Sequence, residues 1–269
     1  MFFEKNKVMR RGVSMAEYGS AAHIHSELDI ELGDVFTASA TTQGLTKSGA
    51  EMSLRVGFIR RVYLLLAAQL CLTTLICFGA MAPAVAPAVV KRAGVISCVA
   101  GVVSFVLLLA MRCYKARHPY NLALLGAWTL AISLSLAVQC SVYAQSGDRD
   151  IVVQAAGTTL ALFVSLTAFT FYSKIDFSFL RAGLFICLLG LCVWSLGSFF
   201  CGYPPRTMLY CVASAVVFCG YVLFDTHQLV HRLSLDQHVQ GAIELYLDII
   251  NLFLATLRIL KQLKSDSRK

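Results

Sequence analysis

The chain has 269 residues, of which 58% are apolar and 14% charged, and it carries a net charge of +8. A soluble domain of this size has about a quarter charged residues, so a soluble protein is excluded in favour of a polytopic membrane protein. Lys and Arg gather at the ends of long apolar runs, and no RNA- or DNA-binding motif goes with them. The positive charge therefore reads as interfacial anchoring, with the lipid bilayer and not nucleic acid as partner.

Residues 1–55 are polar, rich in Gly, Ser, Thr and Ala, and acidic at Glu27–Asp34. They lack a sustained hydrophobic period and are expected to be a disordered tail. The start of the chain has no apolar core of the kind a secretory signal needs. About 20 apolar residues cross a bilayer, and seven stretches meet that length. They are 57–80, 94–110, 121–142, 151–172, 182–200, 207–224 (extensible to 229) and 242–260. Pro83 and Pro87 break the first and mark a loop. His118–Pro119, the polar run Gln145–Asp150, the group Lys174, Asp176 and Arg181, and Pro204–Pro205 separate those that follow. The expected organisation is a cytosolic tail (1–55), a seven-helix transmembrane domain (56–260) and a basic tail (261–269).

Basic residues set the orientation. A cytosolic N-terminus places Arg55, Arg60, Arg61, Arg112, Lys115, Arg117, Lys174, Arg181 and Arg232 on the cytosolic side. The other side receives Lys91, Arg92, Arg149 and Arg206, which favours that orientation. The tail disagrees, because Arg258, Lys261, Lys264, Arg268 and Lys269 lie outside if the last helix crosses fully. Either the rule is overridden or the last helix dips in and returns.

The ten cysteines are scattered through apolar runs, with no CxxC or Cys/His pattern, so no zinc site is implied. They read as small buried residues. A bridge between Cys140 and Cys201, which fall near one membrane face, is open. No N-x-Ser/Thr acceptor helps to fix the topology.

The chemistry concentrates in 221–260, where two apolar runs meet at a short polar turn. Asp225 lies late in the first run and Asp248 early in the second. A carboxylate inside an apolar helix is costly to desolvate, so each must face a bundle interior or a water-filled cavity. Glu244, Asp248, Asn251, Ala255 and Arg258 recur at spacings of three and four, forming one face of the last helix. Ile249, Ile250, Leu252 and Phe253 fall largely elsewhere.

If the two aspartates meet, they cannot both stay charged cheaply, so they share a proton and titrate as a unit. A nearby Arg112 favours the charged form. Loss of the proton, or movement of the arginine, repels the helices and opens a route. Calcium prefers oxygen ligands, so the opened pair could attract it; no firm metal site and no cofactor is implied. The plainer reading is an acid pair and an arginine that hold helices together. Glu244 reads as interfacial and Arg258 as a snorkelling anchor. His227, His231 and His238 read as solvated histidines around the last turn. Trp128 and Trp194 read as packing residues, and Gly126, Gly183, Gly190 and Gly197 as close helix contacts.

Five stretches carry a resemblance. They are FIRRVYLLLAAQL at 58–70, HPYNLALLGAWTL at 118–130, SLTAFTFYSKIDFSF at 165–179, FCGYVLFDTHQL at 218–229 and LYLDIINLF at 245–253. The chain resembles the transmembrane BAX inhibitor motif family, its Lifeguard-type branch above all. The resemblance implies an all-α seven-helix membrane bundle with the last helix central. It also implies calcium leak from intracellular stores, suppression of cell death, and residence in the endoplasmic reticulum or Golgi. It makes Asp225 and Asp248 a pH-sensing pair, and Arg112 the counterpart of an arginine that latches the closed state in a bacterial relative. Phe224 stands where relatives commonly carry tyrosine.

Enzyme readings fare poorly. An intramembrane aspartyl protease needs GxGD and PAL motifs, but Leu245–Tyr246–Leu247 precedes Asp248 and PAL is absent. No GxSx nucleophile turn or HExxH site occurs, and a receptor reading rests on helix count alone. The alternative to a leak pathway is a non-conducting protein that inhibits cell death by binding other membrane proteins.

Overall fold

The structure is a computed structural model that describes residues 52–113, 120–173, 175–200, 207–235 and 237–267. The expected N-terminal tail falls outside the described residues as far as residue 51. Among the described residues every regular element is helical. The order is α1 (Met52–Ala80), α2 (Ala86–Lys91), α3 (Ala93–Cys113), α4 (Tyr120–Gln145), α5 (Arg149–Tyr172), a 3-10 turn (Phe177–Phe179), α6 (Leu180–Phe200), α7 (Met208–His231) and α8 (His238–Asp266). Six of these helices, α1 and α3 to α7, are long and apolar enough to cross a membrane.

The seventh long helix, α8, has 29 residues, about 43 Å of helix at 1.5 Å per residue. It packs against α7, α5 and α4, and Leu245, Tyr246, Leu252 and Leu257 are almost wholly buried. The surrounding helices turn large apolar side chains outward, among them Leu75, Val99, Phe105, Leu160, Phe185 and Val193. Lipid satisfies such side chains but no backbone polar group, which is why the spans are unbroken helices. A helix surrounded by protein can keep a polar face, and α8 does.

The helices run past the apolar stretches at both ends. The first begins at Met52 instead of 57, and the last runs from His238 to Asp266 instead of 242–260. Residues 261–266, read as tail, are therefore helical. Pro87 does not leave a plain loop: it occupies the first turn of α2, where its missing N–H breaks no helical bond.

Helices α1 and α4 run parallel and meet along a polar seam. Gln69 Nε2 donates to Thr129 Oγ1 at 3.0 Å, Thr73 and Ser133 share a hydroxyl contact at 2.8 Å, and Ser141 donates to the Ala80 carbonyl at 2.9 Å. Tyr246 joins from α8, its hydroxyl 2.8 Å from Thr73 and its ring edge-on to Trp128 at 5.6 Å.

The glycines expected to bring helices together do not. A Cβ at Gly126, Gly183, Gly190 or Gly197 would meet nothing within 4 Å. The close approaches are at Gly220, where a Cβ would lie 2.6 Å from Leu184, and at Gly241, crowded by Leu233, Leu229 and Val62.

The turn that leads into α8 and the far end of α8 are both tied down. At one end Arg55 of α1 donates to the Val230 carbonyl at 2.8 Å and to that of Leu233. This places a cation on carbonyls left free at the end of α7. At the other end Lys261 and Lys264 pair with Asp148, and Lys264 also with Asp150 at 2.9 Å. Arg149 nearby donates to the Met81 carbonyl beyond α1. The start of α8 thus lies with the start of α1, and its end lies past the end of α1. Helix α8 is one continuous helix along the bundle, with no reversal between His238 and Asp266.

Candidate functional site

Helix α8 separates two cavities. The first, about 500 Å³, lies among α6, α7 and α8 and is lined by Glu244, Asp248, Asn251, Ala255 and Arg258, the face read from the sequence. Asp225, Tyr221, Ser214 and Tyr210 of α7 join them. The second, about 450 Å³, has mostly apolar walls from α1, α4, α5 and α8, with Ile249, Ile250 and Phe253 from α8. A helical period of 3.6 puts acids and aliphatics of one sequence on opposite walls.

The Asp225 and Asp248 carboxyls approach to side-chain hydrogen-bonding reach. Asp248 is 5% exposed, and its Oδ2 finds no donor. Two carboxylates have no hydrogen between them, so this contact becomes a bond only when one carries a proton. Glu244, one turn before Asp248, adds its charge to both aspartates. It is no plain interfacial residue: it lines the cavity and accepts from Gln240 Nε2 at 2.9 Å. Asn251 donates its Nδ2 to the Leu247 carbonyl at 2.8 Å. Arg258 lines the same cavity beside Tyr210, beyond the acids along α8. Arg112 sits in the last turn of α3, which packs on α4 and α2; its side chain lies outside the described residues.

Phe224, on the turn that carries Asp225, is buried under Arg181, whose guanidinium lies 5.7 Å from the ring centre. Arg181 also donates to Gln228 Oε1 at 3.0 Å. His227 is not the solvated loop residue expected. It is buried in α7 between Phe177 and His231, with Nε2 3.5 Å from Asp176. Ser178, whose N–H donates to Asp176 at 2.9 Å, holds that carboxyl below its ordinary value through its side chain and backbone, with His227 and Arg232 adding to the effect. At the far end the Lys261 and Lys264 ammoniums do the same to Asp148.

Sequence reasoning missed the seam of Gln69, Thr73, Thr129, Ser133 and Tyr246. Its signal was present: polar residues four apart in two otherwise apolar helices. It missed the Asp148 cluster because those carboxylates stand over 110 positions from their lysines. Cys140 is a free, buried thiol that lines the second cavity together with Cys77 of α1. The bridge to Cys201 left open from the sequence falls on a residue outside the described residues.

A ring of apolar spans around a central helix with one carboxylate-bearing face defines a helical multi-pass membrane protein. Residues 55–265 match the family model described as inhibitor of apoptosis-promoting Bax1. A BI1-like protein of Arabidopsis thaliana is 37% identical over 255 residues, covering 93% of this chain and 95% of the relative. Protein lifeguard 4 of Mus musculus is 38% identical over 81% of this chain and 90% of the relative. The Golgi anti-apoptotic protein of vaccinia virus (strain Lister) is 36% identical over the same shares. The chain belongs to the Bax inhibitor-1/Lifeguard family, a family of membrane proteins that suppress cell death and are not enzymes.

Proposed function

We propose that the protein is a proton-regulated cation leak, with calcium as the permeant ion, in an endoplasmic reticulum or Golgi membrane. It opposes apoptosis by limiting the calcium held in that store. The observation that carries this reading is the meeting of Asp225 and Asp248 on one cavity with Glu244 beside them. With a proton between the aspartates, α7 and α8 are bonded across the cavity. Without it, like charges in a low-dielectric interior repel, α7 parts from α8, and the freed oxygens suit calcium. Arg112 is the latch candidate of this scheme by resemblance, and a Golgi address is in keeping with the name of the vaccinia relative.

The test is calcium flux through the purified protein in liposomes across a pH series. Wild-type flux rises as protons leave, whereas Asp225→Asn and Asp248→Asn give flat profiles. A wild-type slope in folded, inserted variants would refute the sensor role. Flux no greater than in empty liposomes would favour the interaction-protein reading.

A further inference from the structure

We infer that Cys77 and Cys140 form an oxidisable dithiol, a modification site that takes hydrogen peroxide and closes to a disulfide between α1 and α4. The two thiols, 8% and 1% exposed, line one cavity within one core cluster. They occupy the rung of the α1–α4 seam between the Thr73–Ser133 contact and the Ser141–Ala80 bond. Those neighbours fix the register on both sides, so both thiols stand at one level of the seam. Reactive groups confined to one small site react as though at high concentration.

The second cavity supplies the access. Both thiols line it, and so do Phe78, Val153 and Leu160, which are exposed on the outer surface of the bundle. The cavity therefore opens on the lipid-facing surface of the bundle. Its lining suits a small uncharged oxidant and disfavours a charged one such as glutathione disulfide.

The chemistry closes without a further reagent. One sulfur attacks a peroxide oxygen and the O–O bond breaks. Sulfenic acid forms, and the departing oxygen leaves as water with the thiol proton. The second thiol attacks the sulfenic sulfur, the S–S bond forms, and the hydroxyl leaves with the second thiol proton as another water. Both thiols are oxidised and the peroxide is reduced to two waters.

The seam reaches α8 through Thr73 and Tyr246, and Tyr246 lies two residues before Asp248. A covalent rung stiffens the wall on which α8 rests and opposes its separation from α7. This consequence rests on the cation-leak reading, whereas the disulfide itself does not.

The experiment treats the full chain in liposomes with hydrogen peroxide, blocks remaining thiols by alkylation, and maps linked peptides by mass spectrometry. A Cys77–Cys140 linked peptide that dithiothreitol abolishes is expected. Flux should fall several-fold on oxidation, recover on reduction, and ignore peroxide in Cys77→Ser and Cys140→Ser. If both thiols are alkylated or over-oxidised separately, or the link maps to another pair, the inference is overturned. A linked peptide with unchanged flux keeps the dithiol and overturns its coupling to α8. A linked peptide in a protein that conducts in neither state refutes the leak reading and leaves the dithiol standing.

Discussion

At the residue scale, the two aspartates are alike in chemistry and unlike in surroundings. Asp248 is 95% shielded and Asp225 only partly so. An Asn at 248 keeps the shape and gains an N–H₂ donor, so it can bond the Asp225 carboxylate at any pH. Asp248→Asn is therefore expected to hold resting flux low across the pH series, which separates a locked pair from a merely weakened one. Tyr246→Phe probes the other face of the helix. It removes one buried hydroxyl contact to Thr73, which retains Ser133 and the Gln69 carbonyl, so the cost is about 1 kcal/mol. A lower thermal midpoint with an unchanged pH profile is expected. The aspartates were legible because a carboxyl inside an apolar run stands out by itself. The thiol pair was not, because Cys77 and Cys140 look like any buried cysteine until the register of two helices is known.

At the element scale, the polar face of α8 could be read from spacing alone, since it is an internal property of one helix. Which glycines permit contact could not, because that depends on what lies opposite. Gly220 faces Leu184 of α6, and α6 has α7 as its main helical neighbour. Gly220→Val must push α6 outward or force Leu184 into another rotamer, at a cost of about 1–3 kcal/mol. A lower thermal midpoint in detergent checks this, and Gly190→Ala, with open space around it, should leave the midpoint unchanged.

The far end of α8 yields a prediction with a definite sign. Lys261 and Lys264 hold the Asp148 carboxyl below its ordinary value of 3.8. A depressed folded value means that the pair's contribution to stability is complete above about pH 4 and lost only as pH falls through the depressed value. Across the neutral range this anchor does not titrate. Asp148→Asn should therefore lower the thermal midpoint at pH 7 while leaving the slope of flux against pH intact. Loss of that slope would place the sensor at this anchor instead of at the aspartates.

At the scale of the whole molecule, α8 lies between an anchored turn and an anchored far end, with acids between them. Arg55 ties the α7–α8 turn to the start of α1, and the Asp148 cluster ties the end of α8 to the α4–α5 turn. Movement at the acids then means a tilt or bow of α8, α7 or α6 between these anchors, because α8 cannot slide without breaking one. The same two anchors decide how the basic tail is to be understood. Counting Lys and Arg weighs each helix as it enters the membrane. The resting place of α8 is set instead by the core it fills, with 13 buried residues, and by ion pairs for the lysines that emerge beyond it. Those long-range pairs are invisible to a count of charges, which is why the sequence left the path of the last helix open. A full membrane crossing by α8 would have a direct consequence: residues on either side of the bundle would differ in exposure. In sealed microsomes, an epitope fused after Lys269 should resist added protease that removes one fused before Met1, and detergent should abolish the difference. Digestion of both epitopes in intact vesicles would mean that α8 does not cross, and would break the link between its two anchors and the cavity between them.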